Sequence, residues 1–156
     1  MKMYNIILGK SAGDIVFGMS RSEARKLLGE YREFKNSQVE MNSLDQFTFC
    51  ILGYDKENKV DFVSFNLFKD IELKLENRVI SSMTALELLA YISKLDKAIE
   101  IETGGAGFES NTLGIAAFFE KTPANDESNK EEIVYDKLGA ITVAVLGYWN
   151  KNKDIG

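Results

Sequence analysis

Runs of β-branched and aromatic residues, broken by short polar turns, fill most of the chain beyond residue 46 and commit it to sheet structure. Residues 47–54 and 60–68 flank the polar stretch 55–59, the pattern of a β-hairpin. Residues 71–76 alternate apolar and charged side chains, as a strand with one wet face does. Residues 99–102 alternate in the same way. Residues 113–119 are apolar on both faces, 133–135 form a short run, and 141–149 read as a long final strand.

Two helices interrupt the strands. Ser20 precedes Ala24, Leu27 and Leu28, which stand at i, i+3 and i+4 and make one apolar stripe. Glu23 lies three residues after Ser20, so each side chain can bond the other's backbone N–H as a capping box. Gly29 suits the residue that closes the helix. Thr84 and Glu87 repeat the box, and Met83 and Leu88 occupy the positions of a hydrophobic staple. Ala85, Leu88, Leu89, Ile92 and Leu95 then form a face expected to lie on a sheet.

The expectation is an α+β fold: a twisted, mainly antiparallel sheet with two short helices packed on one face. At 156 residues the chain reads as one domain, spanning 1–156 and long enough to bury its own core. Residues 121–131, around the one proline Pro123, read as a long loop inside that domain. Residues 150–156 read as a frayed tail.

Composition excludes several kinds of chemistry. The chain has no histidine and one cysteine, Cys50. Ser-His-Asp and Cys-His catalysis, His-bound metals, Cys-rich zinc sites and internal disulfides are thereby removed. No catalytic residue, metal or cofactor is expected, although a His-free enzyme built on carboxylates or tyrosine stays open as a competing reading. Cys50 sits in an apolar strand with no basic neighbour, as a small core residue does. Asp55, Glu57 and Asp61 lack the spacing of a calcium loop. Gly104, Gly105 and Gly107 precede a strand instead of a helix, so they make a hairpin loop and not a phosphate cradle. Tyr148 and Trp149 would point to opposite faces of the last strand, as at a packed strand end, with one of them open to a partner as the competing reading.

Charge is placed unevenly. The net charge is −5, yet the segment from Asp96 to Asp136 carries −7 and the remainder +2. Such a segment repels phosphate backbones, so direct nucleic-acid binding is disfavoured. It would attract a basic protein surface, and a solvated, solubilising face is the equal alternative. Glu100, Glu102, Glu109 and Glu120 are the candidate partner-binding residues, with Asp126 and Glu127 as loop candidates. Glu100 and Glu102 stand two apart on one strand, and hence on one face. No apolar run reaches the roughly 20 residues of a spanning helix, and no export signal is evident, so membrane association is not expected and a cytoplasmic location is.

Phe17, Gly18, Met19, Ser20 and the helix ending in Leu27, Leu28 and Gly29 resemble the first helix of the β-lactamase-inhibitor-like fold, shared with small outer-membrane assembly lipoproteins. The match covers some 13 residues, and the lipoprotein cysteine is missing. The wider layout is similar to the small immunity proteins that neutralise polymorphic or contact-dependent growth inhibition toxins of bacteria. The likeness lies in size, acidity and a capped helix followed by a hairpin through Tyr54, Asp55 and Phe62. These proteins share a role more than a motif, so no functional residue is carried over. The resemblance implies a stoichiometric inhibitor of a cognate toxin, and many such toxins are nucleases with basic active sites. The competing implication is an assembly module that binds a protein without inhibiting it.

Overall fold

The computed structural model describes residues 1–35, 42–101, 106–123 and 133–149. The chain opens with β1 (Lys2–Ile7), β2 (Ser11–Ala12) and β3 (Ile15–Val16), followed by α1 (Arg21–Leu28). Then come β4 (Arg32–Phe34), β5 (Leu44–Gln46), β6 (Cys50–Tyr54), β7 (Val60–Asn66), β8 (Ile71–Leu75) and β9 (Arg78–Val79). A single 3-10 turn, Ile80–Ser82, leads into α2 (Ala85–Leu95). The chain continues through β10 (Glu100–Ile101), β11 (Gly107–Ser110), β12 (Ile115–Pro123) and β13 (Ile133–Ala144).

The α+β class holds, with its strands divided between two sheets. The larger runs β10-β11-β12-β13-β7-β6-β5-β4, with all neighbours antiparallel. The smaller runs β3-β2-β1-β8-β9. It is separate because β8 does not continue the β6–β7 meander. After β7 the Asn66 side chain accepts from the Phe68 N–H and turns the chain. β8 then pairs in parallel with β1, from Lys2 opposite Ile71 to Ile6 opposite Leu75.

The two sheets and α2 enclose one core. Cross-strand partners share a face, so Leu52, Val63, Phe65, Ile141, Val143, Ile115 and Ala117 line one side of the large sheet. Each is at most 1% exposed. From the small sheet, Tyr4 sets its ring 4.8 Å from that of Phe65. Ile6, Leu73 and Leu75 join the same cluster, as do Leu88 and Ile92 of α2.

The N-cap side-chain bond forms at both helix starts, but the full capping box expected at both forms at α2 alone. Ser20 accepts from the Glu23 N–H and Thr84 from the Glu87 N–H. The reciprocal bond, from the N-cap N–H to the Glu87 carboxylate, completes the box at α2. Gly29 closes α1 at φ +85° and ψ −133°, a conformation essentially confined to glycine.

The buried face of α2 is turned from the expected one. Ala85, Leu88, Tyr91 and Ile92 are buried, whereas Leu95 is exposed and Leu89 half-buried. Tyr91 earns its burial by ending at a polar partner, donating from its hydroxyl to Glu76. Ile92 is fully buried at the centre of this face. Ile92→Ala is expected to cost about 2–5 kcal/mol. Urea denaturation would check it, and a loss below about 1 kcal/mol would contradict the packing.

The C-terminal third differs most from expectation. Residues 133–135 and 141–144 belong to one strand, β13, because Gly139 and its neighbours bridge them through irregular pairing with β12. β12 extends to Pro123, so the expected loop is strand over residues 121–123. Its remainder, 124–131, and the expected tail, 150–156, lie outside the described residues. β13 ends at Ala144, so Tyr148 and Trp149 are not on a strand. Their rings meet edge to face at 5.6 Å, and Tyr148 packs on Phe62 at 5.4 Å. Both are half-buried. No helix among the described residues is long and apolar enough to cross a membrane.

Candidate protein-binding face

Alternation gives the large sheet a second face. Since Val63, Phe65 and Ile141 point to the core, Ser64 and Thr142 point away from it. The register extends this outer row in both directions: Glu100 opposite Glu109, Glu109 opposite Ala116, Ala116 opposite Thr142, Thr142 opposite Ser64, and Ser64 opposite Ile51. One step along, Phe118, Ala140 and Asn66 form a parallel row. Glu120 follows Phe118 by two residues and faces the same way.

Small side chains occupy the middle of this face and larger ones its margins. Ala116 is buried among its neighbours, and the Thr142 hydroxyl donates to the Ser64 hydroxyl at 3.0 Å. Phe118 is 53% exposed and Phe68 is 59% exposed. Between them lies an open cleft of about 440 Å³. Phe49, Phe68, Phe118, Ser64, Asn66 and Glu120 are among the residues lining it, with Lys69 also present. Phe49 packs partly against the core, whereas Phe68 and Phe118 stay largely exposed.

Three of the acidic residues singled out from the sequence share this face. Glu100 and Glu109 are direct cross-strand partners, and Glu120 enters the cleft two strands away from Glu100. Glu100 is exposed, and Glu109 and Glu120 are half-exposed. Glu102, Asp126 and Glu127 lie outside the described residues. The pairing of Glu100 with Glu109 has no signature in the sequence, because it depends on the register of a two-residue strand.

The other polar motifs are structural. Asp55 accepts from the Glu57 and Lys59 N–H groups and shapes the β6–β7 turn, with Asn58 at φ +59°. Gly107 lies within β11 instead of in the loop. No group of three or more His, Cys, Asp or Glu among the described residues is arranged to hold a metal ion. Cys50 is 4% exposed, and burial pushes its thiol up to about 12. It is therefore expected to resist a thiol-specific reagent at pH 8 and to react only as the chain unfolds. Rapid stoichiometric labelling of the native protein would contradict this placement.

Sequence reasoning missed the densest polar cluster. Arg21 and Arg25 stand one turn apart on α1 and converge on Asp45 of β5, whose side chain is wholly buried. Asp45 Oδ1 accepts from Arg21 Nη2 and Arg25 Nη2, each at 2.9 Å. Its Oδ2 accepts from Arg25 Nε at 2.8 Å and from the Tyr54 hydroxyl at 2.7 Å. Arg25 also reaches Glu33, and Glu33 accepts from the Ser43 hydroxyl. The guanidinium carbons lie over aromatic rings, Arg21 over Tyr54 at 4.3 Å and Arg25 over Tyr31 at 4.1 Å.

This network moves the acidities in consistent directions. Burial alone would raise the Asp45 carboxyl, but hydrogen bonds from Arg25, Arg21 and Tyr54 outweigh it and hold the group well below the carboxylate range. Burial, reinforced by the bond to Asp45, raises the Tyr54 hydroxyl. Asp45 in turn raises Arg25. With its donors and acceptors mutually engaged, the cluster clamps α1 to the β4–β5 end of the sheet instead of offering a reactive group. The i, i+4 arginines were visible in the sequence, but their shared acid 20 residues onward was not. They also displace the expected apolar stripe: Ala24 is buried, while Leu27 is 43% exposed.

No protein-family model, curated protein or solved structure matches this chain.

Proposed function

We propose that the chain is an immunity-type inhibitor that neutralises a cognate bacterial toxin by forming a stoichiometric complex. The observation that carries this reading is that Glu100, Glu109 and Glu120 share the outer face of the large sheet, with Glu120 in a cleft walled by exposed phenylalanines. Acidic groups at a margin with aromatic anchors between them are the composition of a protein-binding surface. The acidic segment makes a basic protein, such as a nuclease, the fitting partner. The fold serves this use because a helix-backed sheet presents its side chains on a rigid support.

Co-expression tests the reading. The chain would be produced together with the protein encoded immediately upstream of it, and growth and co-purification would be followed. The expected result is a one-to-one complex with a basic protein that stops growth when produced alone. A complex that gives no protection would transfer the reading to an assembly module. No complex with any such protein would remove the inhibitor reading.

A further inference from the structure

Glu120 does not lie on a regular ladder. The pairing of β12 with β13 slips between Phe118 and Phe119, where the partners change from Ala140 to Leu138. Gly139 is thereby left without a partner opposite it, which is the arrangement of a β-bulge. The Glu120 stem lies across this glycine: a Cβ at residue 139 would sit 2.7 Å from Glu120 Cγ. Bulges of this kind re-aim side chains next to binding sites. Here the inserted residue is on β13, and as a glycine it leaves room for the Glu120 stem, which alternation along β12 directs into the cleft bounded by Phe49, Phe68 and Phe118.

The cations nearby leave Glu120 available. Lys137, its cross-strand partner, sets Nζ 5.1 Å from the centre of the Phe68 ring. Lys69 is exposed and lies after β7, at the margin of the cleft. Glu100 and Glu109 extend the acidic character of the same face. Among the described residues, the cleft has aromatic walls, polar Ser64 and Asn66, Glu120 as its one carboxylate and Lys69 as its one lining cation. Lys137 already lies at the Phe68 wall, so the Phe118 and Glu120 side of the cleft is what complements a long side chain with a cationic tip. The fold uses the same chemistry internally, where Arg21 and Arg25 lie on tyrosine rings and end at Asp45.

We propose that the cleft receives one basic side chain, arginine above all, from the bound protein, with its stem against Phe118 and its cation at Glu120. This assignment rests on the protein-binding reading, and not on the partner being a toxin. It names the anchor around which Glu100 and Glu109 steer the approach.

Amide-resolved NMR titration of the full chain with N-acetyl-L-arginine amide tests it. The expected result is saturable shifts confined to the cleft, at Ser64, Asn66, Phe118, Glu120 and Ala140. The uncharged citrulline analogue and the Glu120→Gln variant should each weaken binding roughly two- to fivefold, the size of a partly exposed ion pair. Phe118→Ala should weaken it too. Glu120 is half-exposed, so the spectrum of the Glu120→Gln variant should otherwise overlay that of the wild type. Equal binding of arginine and citrulline probes would overturn the cationic anchor. So would preference for N-acetyl-L-glutamate amide, which would favour Lys69, or an absence of shifts in the cleft. Cleft shifts in a chain that neutralises no toxin would retain this assignment, whereas neutralisation without them would remove it.

Discussion

Asp45→Asn is expected to destabilise the protein by about 3–5 kcal/mol, the penalty for breaking a buried ion pair from one side. The substitution keeps the shape and removes the charge. Two guanidiniums on α1 then point at a neutral amide whose N–H₂ group also donates. For a chain of 156 residues the melting temperature should fall by roughly 10 °C. Glu33→Gln serves as the contrast. Glu33 is 53% exposed, so water can replace much of what Arg25 loses, and the effect should be small. If Asp45→Asn melted within a degree or two of the wild type, the clamp would not be a principal support of the fold.

The same residue sets a pH dependence with a definite sign. The folded chain holds the Asp45 carboxyl below its ordinary range, so on acidification the unfolded chain takes up this proton first. The stabilisation is therefore fully present above about pH 5 and is lost progressively as the pH falls below about 4. Urea midpoints measured from pH 7 to pH 3 should fall more steeply for the wild type than for Asp45→Asn. Parallel curves would mean that other carboxylates dominate the acid response.

The triple reversal Glu100→Lys, Glu109→Lys, Glu120→Lys is expected to slow association with a basic partner by one to two orders of magnitude. Steering depends on the summed field of a face, so three charges reversed together change it far more than any one alone. The wild-type rate should fall steeply with added salt, and that slope should flatten or change sign in the variant. Stopped-flow association with the co-purified partner at 20 and 200 mM salt, roughly threefold apart in Debye length, separates these cases. Wild-type rates in the triple variant would place the interface elsewhere. Dissociation should respond most to Phe118→Ala, since losing a desolvated anchor shortens the life of a complex already formed.

Local features of the fold were legible wherever their cause was local. The caps at Ser20 and Thr84, the β6–β7 hairpin and the alternation of β8 each follow from a few neighbouring residues. The second sheet was not legible, because β8 finds its partner in β1, some 70 residues earlier. The acidic residues were recognised as a group along the chain, but only register places Glu100 opposite Glu109 and on the face that Glu120 shares. The Asp45 clamp escaped notice for a related reason. A buried aspartate beside Gln46 and Leu44 looks like any strand-end acid until two arginines from another element close on it.

A broad open sheet risks being zipped to its own copies along its rims. Among the described residues the eight-stranded sheet tapers at both ends, to the two residues of β10 and the three of β4. The outermost strands carry Glu100 at one rim and Arg32 and Glu33 at the other, all exposed. Short, charged rims give an incoming strand little length to pair with and a desolvation cost for trying. Lengthening either rim with alternating apolar residues would therefore be the quickest way to turn this chain into a self-associating one.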